Sequence, residues 1–180
     1  MRRGIVPALL VLLVLLAGST ASATGIGVGG FGGVSIPLAQ DDGEKGSVFG
    51  GHVKLSLGGI LGIEPNISFF KNGDWDVEEG ITLAGSTFSS VGVNLMLGAS
   101  GPVTAMRPLM FVGGKYYSED NDLRETDSRI GWNAGLGLEF GGGPIGVEVR
   151  GSFELMTLEG GGSRKWGHIT GGVNFYFGAR

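Results

Sequence analysis

The feature that most constrains this sequence is an alternation of apolar and polar residues that recurs in eight short segments. A period of two is the spacing of a β-strand, whose successive side chains point to opposite faces. In the last segment, for example, Val173, Phe175 and Phe177 alternate with Asn174 and Tyr176. The pattern predicts eight strands, each with one apolar face. The segments cover approximately residues 26–36, 53–57, 61–69, 91–97, 105–117, 130–140, 145–155 and 166–177.

The connections between these segments alternate in length. Three are short, at residues 58–60, 99–103 and 142–143, and four are longer and polar, at about residues 37–46, 71–86, 118–128 and 158–165. Of the 17 Asp and Glu residues, 13 fall in the long connections. Three tight turns and four long loops are the pattern of an all-β fold, an eight-stranded antiparallel up-and-down β-barrel. Its long loops are predicted to be acidic.

Composition and aromatic positions favour a membrane barrel over a soluble one. The mean hydropathy is +0.23 with only 17% charged residues. After position 17 no apolar run approaches the roughly 20 residues of a spanning helix. On the apolar faces the aromatic residues form two bands near the strand ends, as expected at two membrane interfaces. The loop-end band is Phe49, Phe69, Tyr116, Trp132 and Phe153, and the turn-end band is Phe140, Phe175 and Phe177.

The first residues predict export. A cationic start, Met1-Arg2-Arg3, precedes an apolar run over residues 5–17 and the small-residue site Ala21-Ser22-Ala23. This order is typical of a signal peptide cleaved after Ala23. The predicted domains are therefore a signal peptide at 1–23 and a barrel at 24–180. The mature chain carries 11 Lys and Arg against 17 Asp and Glu, a formal charge of −6, which argues against nucleic acid as a partner.

The last strand has a motif of its own. Thr170, Gly172, Phe175 and Phe177 give a polar residue, a glycine two positions later and then alternating aromatics. In this motif and in its architecture the sequence resembles the small bacterial outer-membrane β-barrel family, of the OmpA transmembrane domain and OmpX type. The resemblance implies an outer-membrane location and recognition of this strand by the barrel-assembly machinery. Many members end on the aromatic residue, whereas here residues 178–180 follow.

The sequence gives little support for a metal site, a lipid-cleaving active site or a bound cofactor. His52 and His168 fall on polar strand faces, and two histidines without further converging ligands do not predict a metal site. The stretch His168-Ile169-Thr170 is similar to the His-x-Ser stretch of outer-membrane lipid A deacylases, but threonine replaces serine and Gly171 replaces the following asparagine. The sequence lacks cysteine, which excludes disulfides and thiolate ligands. No motif predicts a cofactor.

Charged residues on the polar faces predict a lumen closed by ion pairs. Eight strands enclose a space that side chains can just fill. The polar faces carry four basic and four acidic residues: Lys54, Arg107, Lys115 and Arg150, and Glu64, Glu139, Glu148 and Glu154. A three-residue turn at 58–60 would place Lys54 opposite Glu64. A turn at Gly142-Gly143 would place Trp132 opposite Phe153 and Gly137 opposite Glu148, which leaves Glu148 room to reach Arg150. Arg107 and Glu139 form the third predicted pair.

Together these observations predict a non-enzymatic, surface-exposed or structural protein of the bacterial outer membrane. Its expected partners are outer-membrane lipid and the barrel-assembly machinery. Two alternatives stay open: a narrow, porin-like channel for small solutes, and an enzyme that modifies lipid A. Conductance would distinguish the channel, and acyl release from lipid A would distinguish the enzyme.

Overall fold

A computed structural model describes residues 25–38, 45–58, 60–71, 75–78, 81–83, 87–98, 105–121, 124–158 and 161–177. The predicted signal peptide, with Ala21 and Ala23, and residues 178–180 lie outside these ranges. The strands are β1 (Gly25–Leu38), β2 (Gly46–Gly58), β3 (Leu61–Lys71), β4 (Trp75–Glu78), β5 (Ile81–Leu83), β6 (Thr87–Leu97), β7 (Met106–Asn121), β8 (Arg124–Gly142), β9 (Ile145–Thr157) and β10 (Ser163–Phe177). In this part of the chain no helix has the length and apolar character needed to cross a membrane.

Eight of the strands close into one antiparallel barrel in the order β1-β10-β9-β8-β7-β6-β3-β2. Each barrel strand pairs with its sequence neighbours, and β1 pairs with β10 to close the ring. The eight-stranded up-and-down barrel predicted from the alternation is therefore confirmed. One addition was not predicted: β4 and β5 form a separate two-stranded sheet within the connection from β3 to β6. These strands have four and three residues, too few to show a period.

The alternation along each strand separates an apolar outer surface from a buried interior. Outward side chains such as Val149, Val173 and Phe175 are 40–52% exposed, whereas inward groups on the same strands are buried. Four outward aromatic residues of the predicted loop-end band pack in two pairs, Phe49 with Phe69 and Trp132 with Phe153. Phe49 stacks on Phe69 with ring centroids 5.5 Å apart. An apolar exterior around a polar interior is the arrangement of a membrane barrel.

Glycine on the inner face makes room for large side chains. A Cβ atom placed on Gly135 would lie 2.4 Å from Cζ of Phe111, closer than carbon atoms approach. The ring of Phe111 therefore occupies the volume that a side chain at position 135 would need. In a narrow eight-stranded lumen a large ring therefore fits where a facing position has no side chain.

The turn between β8 and β9 differs from the predicted one. The sequence placed it at Gly142-Gly143, but Gly142 still pairs with Ile145, so the turn consists of Gly143 and Pro144. Gly143 has φ +68°, a conformation that glycine adopts without strain, and proline fixes φ at the next position. Both residues suit a two-residue hairpin turn.

This turn shifts the register of β8 against β9 by two residues. The predicted pairs of Trp132 with Phe153 and Gly137 with Glu148 are therefore wrong. Trp132 lies opposite Leu155, and Gly137 lies opposite Arg150. The rings of Trp132 and Phe153 still contact each other diagonally, with centroids 5.7 Å apart. Between β2 and β3, by contrast, Leu55 lies opposite Ile63 as predicted.

The closed ring predicts heat-modifiable migration in SDS gels. A closed barrel has no free strand edge, so the backbone groups of every strand are hydrogen-bonded to neighbouring strands. Unfolding in SDS is therefore slow without heat. We expect the purified protein to migrate at different positions before and after boiling. Circular dichroism on the unboiled sample checks that the starting material is β-structured. Identical migration of a β-structured sample in both lanes would contradict the closed barrel.

Candidate functional site: the closed lumen

One ion pair in the lumen joins two strands on opposite sides of the barrel through two parallel hydrogen bonds. Glu64 on β3 accepts hydrogen bonds from both terminal nitrogens of Arg150 on β9, at 2.8 and 2.5 Å. Asn94 Nδ2 donates to the same carboxylate at 2.9 Å. In the barrel order β3 and β9 are four strands apart, so the pair spans the lumen. Two parallel bonds between a guanidinium and a carboxylate give this contact a defined geometry.

The structure corrects the predicted partner of Lys54. Its ammonium group donates to Glu148 at 2.7 Å and to Glu139 at 3.2 Å, instead of pairing with Glu64. Arg150 binds both oxygens of Glu64 and also lies 2.8 Å from Glu148. Because long side chains in a narrow barrel reach across the lumen, the partners of Lys54 are not the residue opposite it on the neighbouring strand.

Arg107 and Glu139 lie directly opposite each other on β7 and β8. Arg107 donates to Glu139 at 2.7 Å. The hydroxyl of Tyr176 accepts a hydrogen bond from Arg107 at 2.9 Å and donates to Glu139 at 2.5 Å. Asn174 Nδ2 donates to Glu139 at 2.8 Å and to Glu148 at 3.0 Å. Asn174 thus connects the Arg107–Glu139 pair, at the turn end of the barrel, to Glu148 in the middle of the lumen.

Sequence reasoning missed the neutral members of this network. Asn94, Asn174 and Tyr176 donate to its carboxylates, whereas the predicted pairs contained only charged residues. Their positions in the alternation along each strand could have identified them as inward-facing residues. Asn174 and Tyr176 occupy the same face of β10 as Thr170, so the alternation already directed them into the lumen.

A second cluster lies closer to the long loops. Lys115 pairs with Glu154, whose other oxygen accepts a hydrogen bond from Tyr117 at 2.9 Å. His168 Nδ1 is 3.4 Å from the same carboxylate. All four side chains are buried. For His168 this agrees with its predicted place on the polar face of the last strand. In the part of the chain that the structure describes, no group of three or more His, Asp or Glu side chains could hold a metal ion.

An apolar layer closes the loop end of the lumen, and the sequence analysis did not predict it. We name it the loop-end layer; its members are Val48, Phe70, Phe88, Tyr117, Met156 and Trp166. Phe70 stacks on Phe88 with centroids 5.0 Å apart, and Trp166 meets both rings edge-on at 5.3 and 5.2 Å. All six residues are at most 2% exposed. They occupy inward positions at the loop ends of six strands, where parity alone would have indicated them.

The residues of the predicted assembly motif lie on both faces of β10. Thr170 is buried on the lumen side, whereas Phe175 and Phe177 face outward with 50% and 58% of their surface exposed. Phe177 pairs in register with Ile26 of β1, so the motif runs along the seam that closes the barrel. Gly172 lies opposite Phe31 on β1.

A closed antiparallel barrel with an apolar exterior and a charged interior defines a transmembrane β-barrel of the outer-membrane type. The family model for the outer membrane protein beta-barrel domain matches residues 7–177. The chain therefore belongs to this family, and its place is the bacterial outer membrane. No curated protein is significantly similar to it in sequence.

Solved structures of outer-membrane barrels share this fold. Neisserial surface protein A superposes with a TM-score of 0.65 at 10% identity, over 86% of this chain and 98% of that one. OprG of Pseudomonas aeruginosa gives 0.58 at 12% identity, over 87% and 97%. The N-terminal barrel of Pseudomonas aeruginosa OprF gives 0.52 at 19% identity, over 86% and 98%. At these identities the similarity is one of fold.

Proposed function

We propose that this protein is a non-conducting, non-enzymatic barrel whose role is structural or lies in the loops that it presents at the cell surface. The observation that carries the proposal is the filled lumen. The buried pairs Glu64–Arg150 and Lys54–Glu139 join opposite walls of the barrel, and Arg107 binds Glu139 at the turn end. The loop-end layer fills the other end. A solute would have to displace charged pairs or packed aromatic rings in order to pass.

The proposed surface role rests on the loops. Thirteen of the 17 acidic residues fall within residues 37–46, 71–86, 118–128 and 158–165, which include β4, β5 and the loop ends of β7 and β8, while the other four acids are buried in the lumen. Loops on a rigid barrel can change in sequence without disturbing the core. Their ligand is not specified by the sequence or the fold. Outer-membrane lipid is the partner of the apolar exterior.

The geometry around His168 favours a non-enzymatic role over lipid A modification. Its Nδ1 faces Glu154, and its ring packs against Phe70 with centroids 5.1 Å apart. His168 and Thr170 are both buried inside the barrel, whereas acyl chains contact only the outer wall. A nucleophile and its base must meet the substrate to act on it. Release of acyl chains from lipid A by the purified protein would contradict the proposal.

Planar bilayers test the closed lumen. We expect wild-type protein to give no large, stable conductance, because paired charges and packed aromatic rings cross the lumen. Insertion into the membrane is verified in parallel by the heat-dependent gel shift of protein recovered from vesicles. A long-lived ohmic pore in verified samples would favour the channel alternative instead.

Recognition of β10 by the barrel-assembly machinery gives a separate prediction. Replacing Phe175 and Phe177 together with serine is expected to lower the level of folded protein in the outer membrane, because both belong to the terminal motif. The matched control replaces Phe49 and Phe69, an outward aromatic pair at the other end of the barrel, with serine. Equal levels of the two double variants, measured in isolated outer membranes, would contradict a special role for the last strand.

A further inference from the structure

The outer surface of the barrel carries three lysines at its loop end. Lys71 is the last residue of β3, Lys45 immediately precedes β2, and Lys165 lies near the start of β10. Lys45 and Lys71 are exposed, and Lys165 is half-buried. Each is an even number of residues from an outward side chain on its own stretch of chain; these are Phe69, Phe49 and Ile169. The three lysines therefore belong to the outer face. We name them the lysine patch.

The register determines which outer residues share one height in the membrane. Followed from strand to strand around the ring, the paired residues lead from Ile26 on β1 back to Ile36 on the same strand, a stagger of ten residues. Such a stagger means that the strands are tilted. From β3 to β2, β1 and β10, a residue at the same height lies about 1.25 positions nearer the loops at each step.

This stagger places the three lysines at nearly the same height. Lys71 pairs with Ser47, and Lys45 lies two positions nearer the loops than Ser47. Two further steps of pairing lead from Ser47 to Ile169 on β10, and Lys165 lies four positions nearer the loops than Ile169. The stagger requires shifts of about 1.25 positions over one strand and about 3.75 over three. The lysine patch is therefore level to within about one residue.

The lysine patch occupies one side of the barrel. Its strands β3, β2 and β10, with β1 between the last two, are consecutive members of the ring. At the same height the outward residues of β6, β7, β8 and β9 are uncharged; they are Ser89, Ser118, Ile130 and Thr157. The outer surface described here is therefore cationic at its loop end on one side and neutral on the other.

The patch lies just outside the aromatic band at the loop end. Phe69 is two residues from Lys71, and it stacks on Phe49, which is four residues from Lys45. Aromatic bands of membrane proteins lie at the level of the lipid headgroups. The lysines are therefore placed among the headgroups, where the phosphate groups of lipids lie.

The outer wall below the patch leaves room for acyl chains. Gly30 lies opposite Gly51, and Gly32 lies opposite Gly171, all on the outward face. A Cβ atom at Gly32 or Gly171 would have its nearest neighbour 3.9 Å away, so these positions are open toward the lipid. Chains that descend from a headgroup at the patch would meet a wall without projecting side chains.

The charge and the spread of the patch select the ligand. Lysine ammonium groups bind phosphate as point charges. Neighbouring strands lie about 4.8 Å apart, so from Lys71 to Lys165 the patch extends over three spacings, roughly 14 Å across the strands. Two phosphate groups held apart on one headgroup match this spread better than a single phosphate does.

We propose that the lysine patch binds the doubly phosphorylated headgroup of a glycolipid of the outer leaflet, of the lipid A class. The proposal rests on the loop end facing the cell surface, as in the proposed function, and it assigns a particular lipid to one side of the apolar exterior. The acyl chains of this lipid lie along the wall formed by β2, β1 and β10.

Lipid binding by the purified, folded protein in non-ionic detergent tests the site. Native mass spectrometry measures the fraction of one-to-one complex as bis-phosphorylated lipid A is added, and the gel shift checks that each variant is folded. We expect Lys45→Gln with Lys165→Gln to weaken binding about tenfold or more, because each lysine near anionic lipid contributes favourable electrostatic energy. Unchanged affinity of this variant would overturn the proposal.

A charge-matched control tests whether the position of the cations matters. Arg129→Gln with Arg164→Gln also removes two positive charges near the loops. Arg129 lies between outward Ser128 and Ile130 and so points inward, and Arg164 lies over the ring of Phe88 inside the barrel. We expect this variant to bind lipid A as tightly as wild-type protein does. Equal losses for the two double variants would overturn the proposal, because binding would then follow net charge alone.

Changing the lipid identifies the groups that the lysines contact. Lipid A without its phosphates should bind wild-type protein as weakly as intact lipid A binds the lysine variant. Combining both changes should cost little more, because they delete the same contacts. Fully additive losses would overturn the assignment of the phosphates. Phosphatidylglycerol, with one phosphate, represents the other lipid source, and binding as tight as that of lipid A would overturn the selectivity for two phosphates.

Acidic residues of the loops are the competing partners of the patch, since Asp41, Asp42 and Glu44 precede Lys45 in the chain. If such acids neutralise the lysines, Lys45→Gln with Lys165→Gln would lower the free energy of unfolding in lipid-free detergent and leave lipid A affinity unchanged, which would overturn the proposal. The binding assay does not depend on conductance. A conducting wild-type protein with lysine-dependent lipid binding would contradict the closed lumen and support the lipid site.

Discussion

Replacing Arg150 with methionine is expected to lower the free energy of unfolding by about 3–5 kcal/mol, the usual cost of removing one partner of a buried ion pair. The reason is that Glu64 is 1% exposed and would lose the guanidinium that binds both of its oxygens, so it would be buried without its partner. Methionine keeps a long side chain, so the change removes charge more than volume. Reversible urea unfolding in detergent or lipid vesicles, followed by tryptophan fluorescence, measures the loss.

The chain offers a matched control for this substitution. Arg164 donates to Glu119 at 2.8 Å near the loop end, but its side chain is 35% exposed. Arg164→Met should therefore cost only about 0–1 kcal/mol, the value for exposed ion pairs. Adding Glu64→Gln to Arg150→Met should recover part of the loss, because a neutral amide is cheaper to bury than an unpaired carboxylate. Equal losses for the two arginine variants would show that the lumen pair contributes nothing beyond a surface contact.

Truncating Phe70 gives the second large effect. Phe70→Ala is expected to cost about 3–5 kcal/mol, because it removes a large ring from a packed interior and leaves a cavity. Phe70 is 1% exposed and contacts the rings of Phe88, Tyr117 and Trp166. The same unfolding experiment measures the loss, and the gel shift checks that the variant still forms a barrel.

The neighbouring residue provides the control. Phe69 lies on the outer face, 36% exposed, and stacks on Phe49. Lipid or detergent chains can fill the space that its ring leaves, so Phe69→Ala should lose about 0.5–1.5 kcal/mol, the value of an aromatic pair. The two substitutions are identical and adjacent, and they differ only in the face of the strand. If Phe69→Ala is the more damaging change, the loop-end layer does not stabilise the barrel as we propose.

The sequence by itself determined the number of barrel strands, their antiparallel order and the two faces of each one. A period of two is a local property of the backbone, so it can be detected without knowing what any strand contacts. The tight turns and long loops then left one simple way to connect eight strands. The same parity placed Lys54, Glu64 and Arg150 on the inner face, where the structure has them.

Tertiary structure alone decided which of these inward groups meet. The turn at Gly143 and Pro144 shifted β9 by two residues, and a shift of two keeps every side chain on its face while changing all of its partners. In a lumen that side chains can cross, Arg150 reaches Glu64 on the far wall and Lys54 reaches Glu148 and Glu139. The loop-end layer likewise depends on six strands ending at one level. Such contacts are set by register and barrel closure, which local alternation does not encode.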